Sequence, residues 1–532
     1  MIQRQTQTAV YWDDNFIVED ADLEHLNNLL LEDETPLTAD ELVLALIRRR
    51  VEREEHAIQR QLYRGGAVYL PKEAYAVGQE VTFAHLQFAS GKVAEVHPGL
   101  NPELGEFDVI AIDFGDGKAP RQFAARLAHH KLNEFDGTRA EGDAPLRAPE
   151  ELAAEYGGRV RAKLEARFKA KGDVVRIAAR WFPRGLLASI NEGHLNLAEA
   201  VLDMAGGGPL PTKDLLPHLD LPATINEKLK SFSLDYVLQE DARFDEVGPA
   251  GEVLWFLHRL EPAEVTATPR WLRCEGPSET RELTPVLSHL EVELDDEFGP
   301  SLPPSSGQPS PVEVTLTLSF PHRRAGTLPL SPALAPLFPT AYVSPRIRFT
   351  LVDGFTGEKR PGWVVRQGRY VFGLAEWYQK YEMPVGGHIK VSRGDKAGEV
   401  VIKIARRKPT REWVRTANVA EGRIVFAMQK RPIAVDYDEQ MIVALDNPAA
   451  VDNIWTKAAE RRTPLAKVAA DIFRELAKLT PQSAVHARSL YSAVNTIRRV
   501  PPGPLFAELI SRPYFVHVGD AYWRFDDSAY SE

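Results

Sequence analysis

The stretch Val312-Glu-Val-Thr-Leu-Thr-Leu318 alternates apolar and polar residues strictly, which is the period of a strand with one buried and one solvated face. It opens a series. Arg346-Ile-Arg-Phe-Thr-Leu-Val352, Trp363-Val-Val365, Tyr370-Val-Phe372, His388-Ile-Lys-Val391, Glu399-Val-Val-Ile-Lys-Ile404 and Gly422-Arg-Ile-Val-Phe426 all read as strands, so residues 312–435 are expected to form a large β-barrel. Its charge sets it apart: the 532-residue chain has a net charge of -11, yet residues 356–431 carry 17 Lys and Arg against 7 Asp and Glu. The acidic counterpart is Asp13–Glu55, with 14 acidic and 4 basic residues. Such asymmetry suits a chain with one region facing nucleic acid and another serving protein contacts.

Upstream, residues 276–311 turn acidic and then Pro/Ser-rich, ending in Pro303-Pro-Ser-Ser-Gly-Gln-Pro-Ser-Pro311, and are expected to be a linker at which proteolysis releases two folded halves. Residues 1–70 read as an acidic helical region, where Thr38 and Glu41 form a capping box for a helix running from Ala39 toward Arg60. From Tyr75 the period falls to two, and short strands between Gly and Pro turns predict a small barrel over 71–135. Residues 136–150, opening Asp-Gly-Thr-Arg-Ala-Glu-Gly-Asp-Ala-Pro, read as a linker, and 150–262 as a helical region ending helix, helix, helix, hairpin. Residues 455–532 repeat that ending, with helices at Pro464–Leu479 and Ser483–Ile497. The expected class is therefore α+β and multidomain, with a small β-barrel, two units in the winged-helix order and a larger basic β-barrel. Apolar runs are too short to span a bilayer, a single Cys274 allows no disulfide, and the N-terminus has no export pattern, so a cytoplasmic protein without a membrane partner is expected.

Three resemblances refine this. Val77-Gly78-x-x-Val81 followed by Gly91-x-Val93 resembles the SH3-like or Tudor-like barrels of transcription factors, including CarD-type proteins. Arg243-Phe244-x-x-x-Gly248 then Trp255, and Tyr514-Phe515-x-x-x-Gly519 then Trp523, resemble the end of HARE-type winged helices, the family that includes the delta subunit of bacterial RNA polymerase. That likeness implies a transcription setting, with Phe244, Trp255, Phe515 and Trp523 as core residues. Arg369-Tyr-Val-Phe-Gly373 with Trp377, then Gly387-His and Val400-Val-Ile-Lys-Ile404, is similar to the DNA-binding pseudobarrel of plant transcription factors, with Gly-His standing where that family has Gly-Asp.

No catalytic motif is present: the chain has no phosphate-binding loop or nucleophile elbow, and no enzyme activity, cofactor or metal is expected. His129-His130 reads as a surface pair, and Asp108, Asp113 and Asp116 around Phe114-Gly-Asp-Gly117 as a hairpin turn. Charge carries the functional reading. Arg366, Arg369, Lys390, Arg393, Lys403, Arg406, Arg407, Lys408, Arg411 and Arg415, interleaved with Trp363, Trp377, Tyr378 and Trp413, suit phosphate and base contacts. Arg406, Arg407 and Lys408 are expected to leave the barrel at a turn before Pro409. Ser483–Ile497 is expected as a recognition helix presenting Arg488, Ser492 and Asn495, with Arg498 and Arg499 on phosphates. The leading expectation is a DNA-binding transcription regulator or RNA-polymerase-associated factor. A protein-only adaptor and a subunit of a DNA modification or defence system remain alternatives.

Overall fold

The computed structural model describes residues 4–33, 35–63, 67–86, 89–101, 105–134, 146–177, 180–274, 282–300, 312–342 and 344–530, and divides into two compact units, Met1–Ser189 with Leu221–Tyr236, and Ile190–Asp220 with Val237–Glu532. The expected linker at 303–311 and residues 136–145 of the one expected at 136–150 lie outside the described residues, and the latter ends in helix, since Pro149 and Glu150 open the helix Pro149–Lys171.

In the first unit, helices α1 (Asp20–Asp33), α2 (Ala39–Tyr63) and α3 (Pro149–Lys171) surround a core of Trp12, Leu26, Leu42, Leu46, Tyr156 and Phe168. The capping box forms as the sequence predicts: Thr38 N–H donates to Glu41 Oε2 at 2.7 Å and Glu41 N–H to Thr38 Oγ1 at 3.2 Å. A sheet of β1 (Leu37–Thr38), β8 (Arg180–Pro183) and β7 (Val174–Ile177) closes this core. Strands β2 (Ala67–Val68), β3 (Glu80–Phe83), β4 (Ala89–Pro98), β5 (Asp108–Asp113) and β6 (Arg121–Ala125) form a five-stranded sheet in chain order. The acidic N-terminal segment is not a free acidic face. Asp13, Asp20 and Asp40 pair with Arg159, Arg167 and Arg161 of α3, and fully buried Asp22 pairs with Arg50. The expected 150–262 region is thereby split, because α3, β7 and β8 belong to the N-terminal core.

The second unit begins with α4 (Glu192–Met204), β9 (Leu210–Pro211) and α5 (Thr212–Leu215). Helix α6 (Glu227–Glu240) starts in the first unit and ends in the second, followed by β10 (Phe244–Glu246), β11 (Leu254–Leu257) and α7 (Ala263–Thr266). Near the C-terminus the order recurs: α12 (Leu465–Ala477), β22 (Ala484–His486), α13 (Ala487–Val494), α14 (Pro502–Ser511), β23 (Phe515–Gly519) and β24 (Tyr522–Phe525). In both copies the last strand lies between the other two, β9-β11-β10 and β22-β24-β23. Phe244, Trp255, Phe515 and Trp523 are all buried, as expected. The short first strand of each copy was not anticipated. Ser483–Ile497 is accordingly not one helix but β22 followed by α13, with Ser483 at positive φ. In the first copy the glycine with positive φ in the hairpin turn is Gly251.

Between the copies, β12 (Glu313–Thr317), β13 (Thr327–Pro329), β14 (Arg346–Asp353), β15 (Lys359–Val365), β16 (Tyr370–Phe372), β17 (His388–Arg393) and β18 (Glu399–Ile404) curl into a seven-stranded half-barrel in the order β12-β17-β18-β14-β15-β16-β13. Helices α9 (Phe320–Ala325) and α10 (Ala375–Lys380) lie in its connections, and α10 buries Trp377 and Tyr378. The expected 312–435 barrel ends at Ile404. Its last third is a separate sheet of β19 (Arg406–Ala420) and β20 (Arg423–Val435), with β21 (Val443–Leu445) parallel to β19. Helix α11 (Pro448–Glu460) leads on to the C-terminal copy.

The acidic stretch before 301 is also not linker throughout. Helix α8 (Pro285–Leu294) buries Leu287 and Leu290 against the C-terminal core, which includes Phe506 and Leu509. Asp296 and Glu297 follow it into the interior. Cleavage at 303–311 therefore does not separate two independent halves, because chain on both sides of it shares one core.

Candidate nucleic-acid interface

The β19–β20 hairpin turns at Glu421-Gly422, with φ of 50° and 74°. Two successive left-handed residues give the turn whose twist matches that of paired strands. It sets the register, placing Trp413 opposite Lys430 and Arg415 opposite Met428. Alternate residues share a face, so Arg411, Trp413 and Arg415 lie on one side with Met428 and Lys430. Near the turn this face is core, through Ala417, Ile424 and Phe426. Toward the open end it emerges: Trp413 is 60% exposed, and Lys430 Nζ sits 5.4 Å from its ring centroid.

Between this face and α12, β22 and α13 lies a cavity of about 420 Å³, lined among others by Trp413, Arg415, Met428, His486 and Tyr522. Arg415 Nη1 donates to the Gln440 carbonyl at 3.0 Å and Nη2 to Ser489 Oγ at 3.1 Å. Ser489 Oγ in turn donates to Gln440 Oε1 at 2.6 Å. Asp438 is taken by Arg488 at 2.5 Å. Burial without a paired carboxylate pulls the Arg415 guanidinium down to about 10. Burial likewise lowers the His486 imidazole.

The sequence-predicted cations divide sharply. Lys403, Lys408 and Arg411 are exposed and, among the described residues, make no ion pair. Arg406 lies 3.9 Å over the Phe355 ring, and Arg407 pairs with Glu412 at 3.1 Å over Tyr437. Residues 406–408 do not leave the barrel at a turn. They begin β19, with a register shift before Thr410. Lys390 faces Lys403 across β17–β18 but pairs with Glu313 at 2.9 Å. Arg366, Arg369 and Arg393 donate to the carbonyls of Ser344, Glu297 and Pro336. Of the interleaved aromatics, Trp363, Trp377 and Tyr378 are buried, and only Trp413 is presented.

The proposed recognition helix is corrected. Ser492 is buried and donates to the Met441 carbonyl at 2.6 Å. Asn495, fully buried, donates to the carbonyls of Tyr491 and Val500 at 3.0 Å. Arg488 pairs with Asp438 and Glu293, and Arg498 donates to the Thr463 carbonyl. Arg499 has a side chain 1% exposed and grips Asp296 through both carboxylate oxygens, at 2.7 and 2.8 Å, and Glu297 at 2.7 Å. Glu297 also meets His322 Nε2 at 3.1 Å, while the Tyr491 hydroxyl donates to Asp296 at 2.6 Å. These groups organise the interior and are not available to a ligand.

One group of His and carboxylate side chains, Asp245, His258 and Glu261, brings its donor atoms within 4.8 Å of one another. Arg346 already bridges it, with Nε 2.9 Å from Asp245 and Nη1 2.9 Å from Glu261. Burial and the neighbouring Asp245 push the Glu261 carboxyl up to about 8.

Sequence reasoning missed Met428, Lys430, Gln440 and Tyr522. The Glu-Gly turn was the signal that could have found two of them, since pairing Ala420 with Arg423 places Lys430 opposite Trp413 by counting. No helix among the described residues is long and apolar enough to cross a membrane. Comparison with known proteins returns no match, whether to a family model, a curated protein or a solved structure.

Proposed function

We propose that the chain is a DNA-binding regulator or polymerase-associated factor of transcription that contacts DNA through the open end of the β19–β20 hairpin and the C-terminal end of β18, which leads into it. The observation that carries this reading is that Arg411, Trp413 and Lys430 share one exposed strand face, and that Lys403, Lys408 and Arg411 are exposed and make no ion pair among the described residues, while nearly every other predicted cation is engaged internally. Unneutralised cations release counterions from a phosphate backbone, and an exposed indole stacks on bases. The repeated order of helix, strand, two helices and two strands supports reading both copies as winged-helix units. The order strand, helix, four strands, helix, two strands over 313–404 supports the likeness to the plant DNA-binding pseudobarrel. The five-stranded sheet supports an SH3-like reading of 67–125. The test is a salt titration of duplex binding by the full chain. About four phosphate contacts give a log-log slope near -3 to -4, and a flat slope rejects the reading.

A protein-only adaptor is the second reading, favoured by edge strand β23, where Val516 and Val518 are 43% and 44% exposed. Retention of a polymerase partner at high salt together with no DNA binding would select it.

A further inference from the structure

We propose that the cavity beside the β19–β20 face is a pocket for one unstacked nucleotide, with an acceptor-rich base such as guanine inside it. This rests on the DNA-binding reading above and adds to it what that surface recognises.

The floor is rich in donors. A guanidinium has five N–H groups. Two of those of Arg415 have protein acceptors, a carbonyl and a hydroxyl, and among the described residues no carboxylate pairs with it. Gln440 has its Oε1 occupied by Ser489, which leaves its amide nitrogen as a further donor in the cavity lining. A partly desolvated cation flanked by neutral acceptors is costly unless something with acceptors completes it. The paired N7 and O6 acceptors of guanine match a guanidinium fork.

The mouth is aromatic. Trp413 on one side and Tyr522, 39% exposed, line the same cavity, and His486 packs at 4.9 Å against the Tyr522 ring. The volume of about 420 Å³ lies in the range of small-ligand sites. Lys430 and Arg411 stand on the same strand face as Trp413, where the phosphates flanking an extruded base would run. Glu412 and Glu439 also line the cavity, which disfavours a bare anion and favours a ligand with a neutral ring.

The experiment uses the full chain and three short duplexes: fully paired, with one unpaired dG, and with one unpaired dT. Binding is followed by fluorescence anisotropy, with dGMP and inorganic phosphate as competitors. The unpaired dG duplex should bind about tenfold tighter than the paired one. dGMP should compete and phosphate should not. Trp413→Ala, at an exposed position that keeps the fold, and Arg415→Gln should each bring the ratio close to one. Equal binding of paired and unpaired duplexes with a steep salt slope overturns the pocket and leaves the DNA reading intact. Saturable dGMP binding lost in Arg415→Gln, with no duplex binding, supports the pocket and sinks the DNA reading. Phosphate competing as well as dGMP, or a dG preference that survives both substitutions, overturns the pocket.

Discussion

The β19–β20 hairpin carries six arginines and the segment from α13 to Val500 carries three, and the structure leaves part of the first set without a counter-charge while it engages the second internally. In the C-terminal segment Arg488 and Arg499 are neutralised by Asp438, Glu293, Asp296 and Glu297, and Arg499 sits in the interior. On the hairpin, Lys408 and Arg411 are exposed and make no ion pair among the described residues, and Arg415 donates to a carbonyl and a hydroxyl. A basic residue is therefore a candidate for phosphate only when its own fold has not already matched it. The match is a matter of tertiary position, not of local charge density.

Arg499→Met probes the structural side and should show the largest effect. It leaves Asp296 and Glu297 buried with one cation fewer, a loss of about 3–5 kcal/mol. Urea unfolding measures it, and a variant with wild-type stability would put Arg499 back among the functional cations. On the hairpin side, changing Lys408, Arg411 and Lys430 together to Ala should flatten the salt slope of duplex binding by about 2–3, with stability changed by no more than about 0.5 kcal/mol per site. A destabilised triple variant with an unchanged slope would erase the contrast.

The smallest effect concerns Glu261. Its folded-state pKa, pushed up to about 8, lies above an ordinary carboxyl value of about 4.3, so the native state holds this proton more tightly than the unfolded chain. The associated stability is fully present below about pH 4 and is lost as pH rises through 8. Thermal midpoints should fall modestly from pH 5 to 8.5, and Glu261→Gln, which mimics the protonated form, should remove that part of the slope. A Gln variant with the same pH dependence would reassign the proton to another group.

Much of the fold was legible because it is local. Strict alternation located β12, β14 and β18, and Thr38 with Glu41 marked the start of α2. The rest depended on partners far along the chain. Arg499 reads as a free cation beside Arg498, while its acceptor Asp296 lies 203 residues upstream in a stretch whose composition suggests linker. Residues 483–497 have apolar spacing suited to a helix, yet three of them pair with β24, an interaction that local propensity does not contain. On the candidate site, the charges of β19 were legible, but which aromatic faces solvent was not. Trp363, Trp377 and Trp413 occupy similar polar-apolar contexts, and only packing separates them.

Helix α8 and the Asp296–Arg499 contact have a practical consequence. Chain on either side of 301–311 belongs to one packed body, so the peptide bond there is not what keeps the parts together. A protein expressed as two pieces, 1–300 and 312–532, should reassemble without a covalent connection and co-elute on gel filtration. Disengagement would then require melting the core that both fragments complete, which makes this position a natural place to divide the molecule for complementation assays or segmental isotope labelling.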